Sequence, residues 1–130
     1  MNLYLDIDGV ILTKEGQEAK HLFEFLDFAT EKFDCYWLTT HCKGDGETAL
    51  EYLEKKISTK SFDLLKKIEP TNWDLWKTEV INFDEDFLWL DDYIFDGEME
   101  ILKKNNASQK LIKIDLKNNP DQLLEIIKLK

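Results

Sequence analysis

Apolar residues fall along this chain in two patterns. The first is the short unbroken run: Leu3-Tyr4-Leu5, Cys35-Tyr36-Trp37-Leu38 and Phe87-Leu88-Trp89-Leu90. Such runs suit strands buried on both faces. They predict strands over Asn2–Asp6, Asp34–Thr39 and Phe87–Leu90, with a fourth over Gln109–Ile114. The second pattern has helical spacing. Ala19, Leu22, Phe23, Leu26, Ala29 and Phe33 recur at i, i+3, i+4 and i+7, which predicts an amphipathic helix over Gln17–Lys32. Further helices are predicted over Glu47–Ile57, Ser61–Lys67, Trp73–Asn82 and Glu98–Lys104. Asn119-Pro120-Asp121 reads as the start of the last one, with proline where a missing N–H costs little. Trp76 and Val80 sit at i, i+4 in the Trp73–Asn82 segment, and Pro70 lies in the connection before it.

Alternation of buried strands with helices predicts an α/β fold: a three-layer sandwich around a central, mostly parallel, Rossmann-like sheet. The 130 residues suit a single domain over 1–130. With 43% hydrophobic residues, five Gly and two Pro, the composition is globular rather than disordered.

Charge narrows the partners. Seventeen basic against 27 acidic residues give a net charge of −10. Such a chain repels polyanions, so long nucleic acid and anionic membranes are poor default partners. No apolar stretch approaches the roughly 20 residues of a membrane span, and the first residues carry no basic leader segment. Two cysteines, Cys35 and Cys42, stand without a disulfide framework, so a reduced, cytoplasmic setting is expected.

Polar chemistry gathers where the strands end. The first ends in Asp6-Ile7-Asp8-Gly9, the second in Thr39-Thr40-His41, the third in Asp91-Asp92. Sites of open parallel sheets form at those carboxyl ends. Asp6 and Asp8, at i and i+2 of an extended segment, would lie roughly 6–7 Å apart and repel by about 3 kcal/mol at an effective dielectric near 20. Several carboxylates together need compensation, and Mg²⁺, with its oxygen ligands, supplies it while joining acids to a phosphate. Lys77 adds a fixed positive charge and Thr39 a hydroxyl. No glycine-rich phosphate loop is present.

These residues resemble the haloacid dehalogenase (HAD) superfamily. LDIDGV resembles its first motif, WLTT its second, Lys77 in WKTEV its third-motif lysine, and FLWLDD its fourth, in the family's order over residues 2–92. The resemblance implies a HAD-like core and a Mg²⁺-dependent phosphatase. Asp6 would be the nucleophile, forming an aspartyl-phosphate, and Asp8 the general acid and base. Thr39 and Lys77 would hold the phosphoryl oxygens. The metal would be held by Asp6, the Asp8 carbonyl and Asp91, with or without Asp92. Its neighbour's charge would raise the Asp8 pKa toward its role. The short intervals after Asp8 and between His41 and Trp73 leave no room for a full cap domain. The family's glycine-rich fourth motif is absent, so the direct ligand among Asp91 and Asp92 stays open.

Other readings of the same residues remain open. Thr40 could share or take the role of Thr39, Lys77 could be a solvated helix lysine, and His41 could touch substrate. Cys42 beside His41 is a poor catalytic pair, and zinc lacks ligands at metal spacing. Rival functions are a phospho-acceptor signalling domain, whose order of acids differs, and a catalytically idle binding module. The substrate is a phosphorylated small molecule or macromolecule of open identity, and the oligomeric state is unmarked.

Overall fold

The computed structural model describes residues 1–130. In chain order the elements are β1 (Asn2–Leu5), α1 (Leu22–Lys32), β2 (Asp34–Trp37), α2 (Gly46–Leu53), α3 (Thr59–Leu65), a 3-10 turn (Lys77–Val80), β3 (Phe87–Asp91), α4 (Asp96–Lys104), a second 3-10 turn (Ser108–Lys110), β4 (Leu111–Lys113) and α5 (Gln122–Leu129). The four strands form one sheet in the order β2-β1-β3-β4. Every pairing is parallel, so the sheet is wholly rather than mostly parallel.

The unbroken apolar runs form these strands because both sheet faces are covered. Leu3, Leu5, Leu88 and Leu90 point into a core of 26 buried residues shared with α1, α2, α3 and α5. Tyr4, Phe87 and Trp89 alternate with them and point into a smaller core of seven, closed by Leu102 of α4 and by Ile81. No helix is long and apolar enough to cross a membrane.

The chain leaves β1 for β2 on one side and returns to β3 on the other. The carboxyl ends of β1 and β3 therefore flank the reversal in strand order, where open α/β sheets bind ligands.

Several boundaries differ from the sequence reading. The first helix starts at Leu22, not Gln17, because residues 7–19 fold into a tight hairpin. Thr13 N–H donates to Gln17 O (2.7 Å) and Ala19 N–H to Ile11 O (2.9 Å). The hairpin buries Val10, Ile11 and Leu12 completely, and His21 turns the chain at φ 65°.

The segment Trp73–Asn82 is not a helix; only Lys77–Val80 turns, as 3-10. The Glu79 carboxylate folds back to accept from the N–H groups of Asp74 (3.0 Å), Leu75 (2.8 Å) and Trp76 (2.7 Å). Their donors are thus taken by a side chain rather than by a helix ladder, and Trp76 and Ile81 stay extended on either side. The helix over Glu47–Ile57 stops at Leu53, and the strand over Gln109–Ile114 shrinks to Leu111–Lys113. The last helix starts at Gln122, two residues beyond Pro120.

Candidate active site

Register sets the first contact. Leu5 pairs with Leu90, and Asp6 N–H donates to Leu90 O at 3.1 Å. Asp6, just past β1, therefore lies beside Asp91, the last residue of β3. Lys77 closes over both: its Nζ is 2.7 Å from Asp91 Oδ2 and 3.6 Å from Asp6 Oδ2. Asp6 and Asp91 are buried, the Asp91 side chain to 1% exposure, and Lys77 is partly buried. Carboxylate oxygens of Asp6, Asp91 and Asp92 come within 4.8 Å of one another.

One ammonium cannot balance this cluster. Burial, and then the charge of Asp6, push the Asp91 carboxyl up to about 8, although Lys77 pulls the other way. Burial would lower Lys77, but attraction to Asp6 and Asp91 and the hydrogen bond to Asp91 outweigh it, and the net direction is up. The lysine stays charged, and a deficit of positive charge remains among three oxygen-donor side chains. A hard divalent cation fits that donor set.

Gly9 shapes the rim. Its φ is +86°, and a Cβ there would lie 2.5 Å from Asp92 Cγ. Only glycine lets the Asp92 carboxylate lie against this turn.

Asp8 does not join the cluster through its carboxylate. Its Oδ2 is 2.8 Å from His41 Nε2, and its Oδ1 accepts from Tyr52 O–H at 2.8 Å. The His41 and Tyr52 rings stack at 3.7 Å. The Asp8 side chain is half exposed. Asp8 raises the Tyr52 phenol, chiefly through that hydrogen bond. The like-charge pair expected between Asp6 and Asp8 is found instead between Asp6 and Asp91.

Thr39 follows β2 and is fully buried. Its Oγ1 accepts from His41 N–H at 3.3 Å, which leaves its own proton for another acceptor. Thr40 is exposed. Cys42 is buried and its thiol faces Thr71 O (3.7 Å), so it does not pair with His41.

Two supporting residues escape the sequence reading. Glu98 is buried and accepts from Lys77 N–H (2.8 Å) and Phe95 N–H (3.0 Å), tying the lysine's backbone to the start of α4. A glutamate three residues into a helix was the available signal. Tyr52 gave none, since it reaches Asp8 from a distant helix. Comparison of the chain with protein-family models, with curated proteins and with solved structures finds no match.

Proposed function

We propose that this chain is a Mg²⁺-dependent phosphatase of the HAD type, hydrolysing phosphate monoesters through an aspartyl-phosphate on Asp6. The observation that carries the reading is Lys77 between Asp6 and Asp91, with Asp92 beside them, at the switch point of a parallel sheet. The DxD, lysine and acid-pair segments, far apart in sequence, meet there. Thr39 lies just past the end of the neighbouring strand, β2, on the other side of β1.

Asp6, Asp91, Asp92 and the Asp8 carbonyl are the groups that would hold the metal. Mg²⁺ bound there would neutralise the charge that otherwise keeps a carboxylate from a phosphate dianion. A carboxylate oxygen of Asp6 attacks phosphorus, the bond to the ester oxygen breaks, and Asp8 gives that oxygen a proton. Asp8 then takes a proton from water; the water oxygen attacks phosphorus, and phosphate leaves with Asp6 restored. Lys77 and the Thr39 hydroxyl stabilise the non-bridging oxygens. In this reading the half-exposed Asp8 carboxyl exchanges its contact with His41 or Tyr52 for the leaving oxygen.

The enzyme reading is capless. Between His41 and Trp73 lie only α2 and α3, and their residues Ala49, Leu53 and Leu65 belong to the main core rather than to a separate lid. The test is hydrolysis of an aryl phosphate with Mg²⁺, with EDTA, and with Asp6→Asn. Metal-dependent turnover lost in the variant supports the proposal. Turnover that survives Asp6→Asn refutes it.

A further inference from the structure

Beyond the acid cluster, on the β4 side, lies a cavity of about 570 Å³ between the first hairpin and the loop after β4. That volume is in the range of small-molecule sites. Asp92 and Gly9 form its inner wall, so it opens directly off the cluster. Lys14, Lys113 and Lys117 line it, in a chain whose net charge is −10.

These lysines have few local partners. The one carboxylate within 4.0 Å of Lys14 is Asp92, at 3.9 Å, and Lys113 and Lys117 have none. Among the lining acids, Asp92 belongs to the cluster. Asp115 accepts from both the backbone N–H (3.2 Å) and the side-chain amide (2.8 Å) of Asn118, and these bonds, with the charge of Lys14, hold its carboxyl below the ordinary range. Gln122 fixes the loop after β4: its Oε1 accepts from Asp115 N–H (2.7 Å), and its Nε2 donates to Lys113 O (2.9 Å). Glu15, on an exposed turn, and Asp115 are the opposing charges, and neither lies within 4.0 Å of Lys113 or Lys117.

Resting on the phosphatase reading, we propose that this cavity receives a second anionic group of the substrate, one that Lys113 and Lys117 bind while the scissile phosphate lies at Asp6. The substrate class is then a phosphomonoester with a second phosphate or a carboxylate.

The experiment compares glucose 6-phosphate, glucose 1,6-bisphosphate and 6-phosphogluconate, with aryl phosphate as control. The bisphosphate or the phosphogluconate should have a KM about tenfold below that of glucose 6-phosphate, the gain expected of two exposed ion pairs. Whichever of them gains shows whether phosphate or carboxylate is preferred. In Lys113→Gln/Lys117→Gln the ratio should fall to near one. Lys117→Gln alone, in an exposed turn, should lose part of it and guards against misfolding. Aryl phosphate turnover with equal KM values across the sugar panel overturns this inference and leaves the phosphatase reading standing. Absence of aryl phosphate turnover counts against the phosphatase reading instead. Calorimetric titration of the same compounds into Asp6→Asn then decides the cavity by binding alone: equal affinities overturn it, and a preference lost with the lysines upholds it.

Discussion

Asp91→Asn should make the metal-free protein more stable at pH 8 and abolish its response to Mg²⁺. The wild-type carboxyl is buried beside Asp6 and is pushed up to about 8 from an ordinary 3.8. Between those values the folded state keeps a proton that the unfolded chain has lost. The folded state thus binds more protons, and unfolding free energy falls as pH rises from about 4 to 8. At about 1.4 kcal/mol per pH unit, the displacement sets a ceiling of about 6 kcal/mol, part of which structural relaxation and water entry return. Asparagine removes the titration and keeps the shape. Its Oδ1 can still accept from Lys77, and its amide can donate to Asp6. Other shifted acids do not confuse the window. Glu79, Asp86, Asp115 and Asp121 are held below the ordinary range, chiefly by hydrogen bonds from the Trp76 backbone, Lys110, Asn118 and His21, so their effect falls below about pH 5.

Urea unfolding in EDTA from pH 5 to 8 reads this directly. Wild type should lose about 2–3 kcal/mol across the range, while Asp91→Asn stays nearly flat and is the more stable form at pH 8. At pH 5 the two should agree within about 1 kcal/mol, since the wild-type carboxyl is then neutral. Mg²⁺ at about 100 times its Kd should restore about 2.7 kcal/mol to wild type and nothing to the variant. A flat wild-type profile, or a variant less stable at pH 8, would refute the idea that an ionised Asp91 is costly to bury.

Asp6→Asn should reduce aryl phosphate hydrolysis to background, whereas Asp8→Asn should accumulate a long-lived phospho-Asp6 visible by intact-mass spectrometry. An unlabelled Asp8→Asn protein would favour the idle binding module, and a long-lived adduct already present in wild type would favour the signalling domain. Gly9→Ala combines a strained φ with a 2.5 Å approach to Asp92, and should cost about 1–3 kcal/mol and the Mg²⁺ response. Gly16→Ala shares the positive φ but meets nothing within 4 Å, so its melting curve should still rise with Mg²⁺. Lys77→Met leaves Asp6 and Asp91 without their cation and should cost about 3–5 kcal/mol at pH 8 by urea unfolding; a loss under 1 kcal/mol would count against the buried ion pair.

The strands were legible because unbroken apolar runs have few homes outside a doubly covered sheet, and Leu3-Tyr4-Leu5 and Phe87–Leu90 found theirs side by side. Helix boundaries were less so. Ala19 keeps helical spacing with Leu22 and Leu26, yet the backbone of Gln17, Glu18 and Ala19 is taken by Thr13, Leu12 and Ile11 across the hairpin. Trp76 and Val80 keep it too, but Glu79 captures the donors a helix would need. Both are tertiary contacts overriding a local period. Lys77 still reaches the end of the sheet without a helix to carry it, because Glu98 of α4 holds its backbone and Asp91 of β3 its ammonium.

The acid doublet shows how far local geometry carries. Alternation along a strand would send Asp91 and Asp92 to opposite faces. Alternation also put Asp6 and Asp8 on one side, and that reasoning lapsed because β1 ends at Leu5 and the chain turns through Gly9. The same turn rescues the doublet. β3 ends at Asp91, which stays buried against Lys77; Asp92 lies past the strand and folds over Gly9, where no Cβ blocks it, toward Lys14. The two neighbours thus reach one cluster from different sides. The parallel register that pairs Leu5 with Leu90 brings Asp6 to them. A single-residue slip of β1 against β3 would break that three-way approach. The cluster is therefore a property of register, which no motif shows, and of Gly9, which the first segment carries but whose approach to Asp92 only the fold reveals.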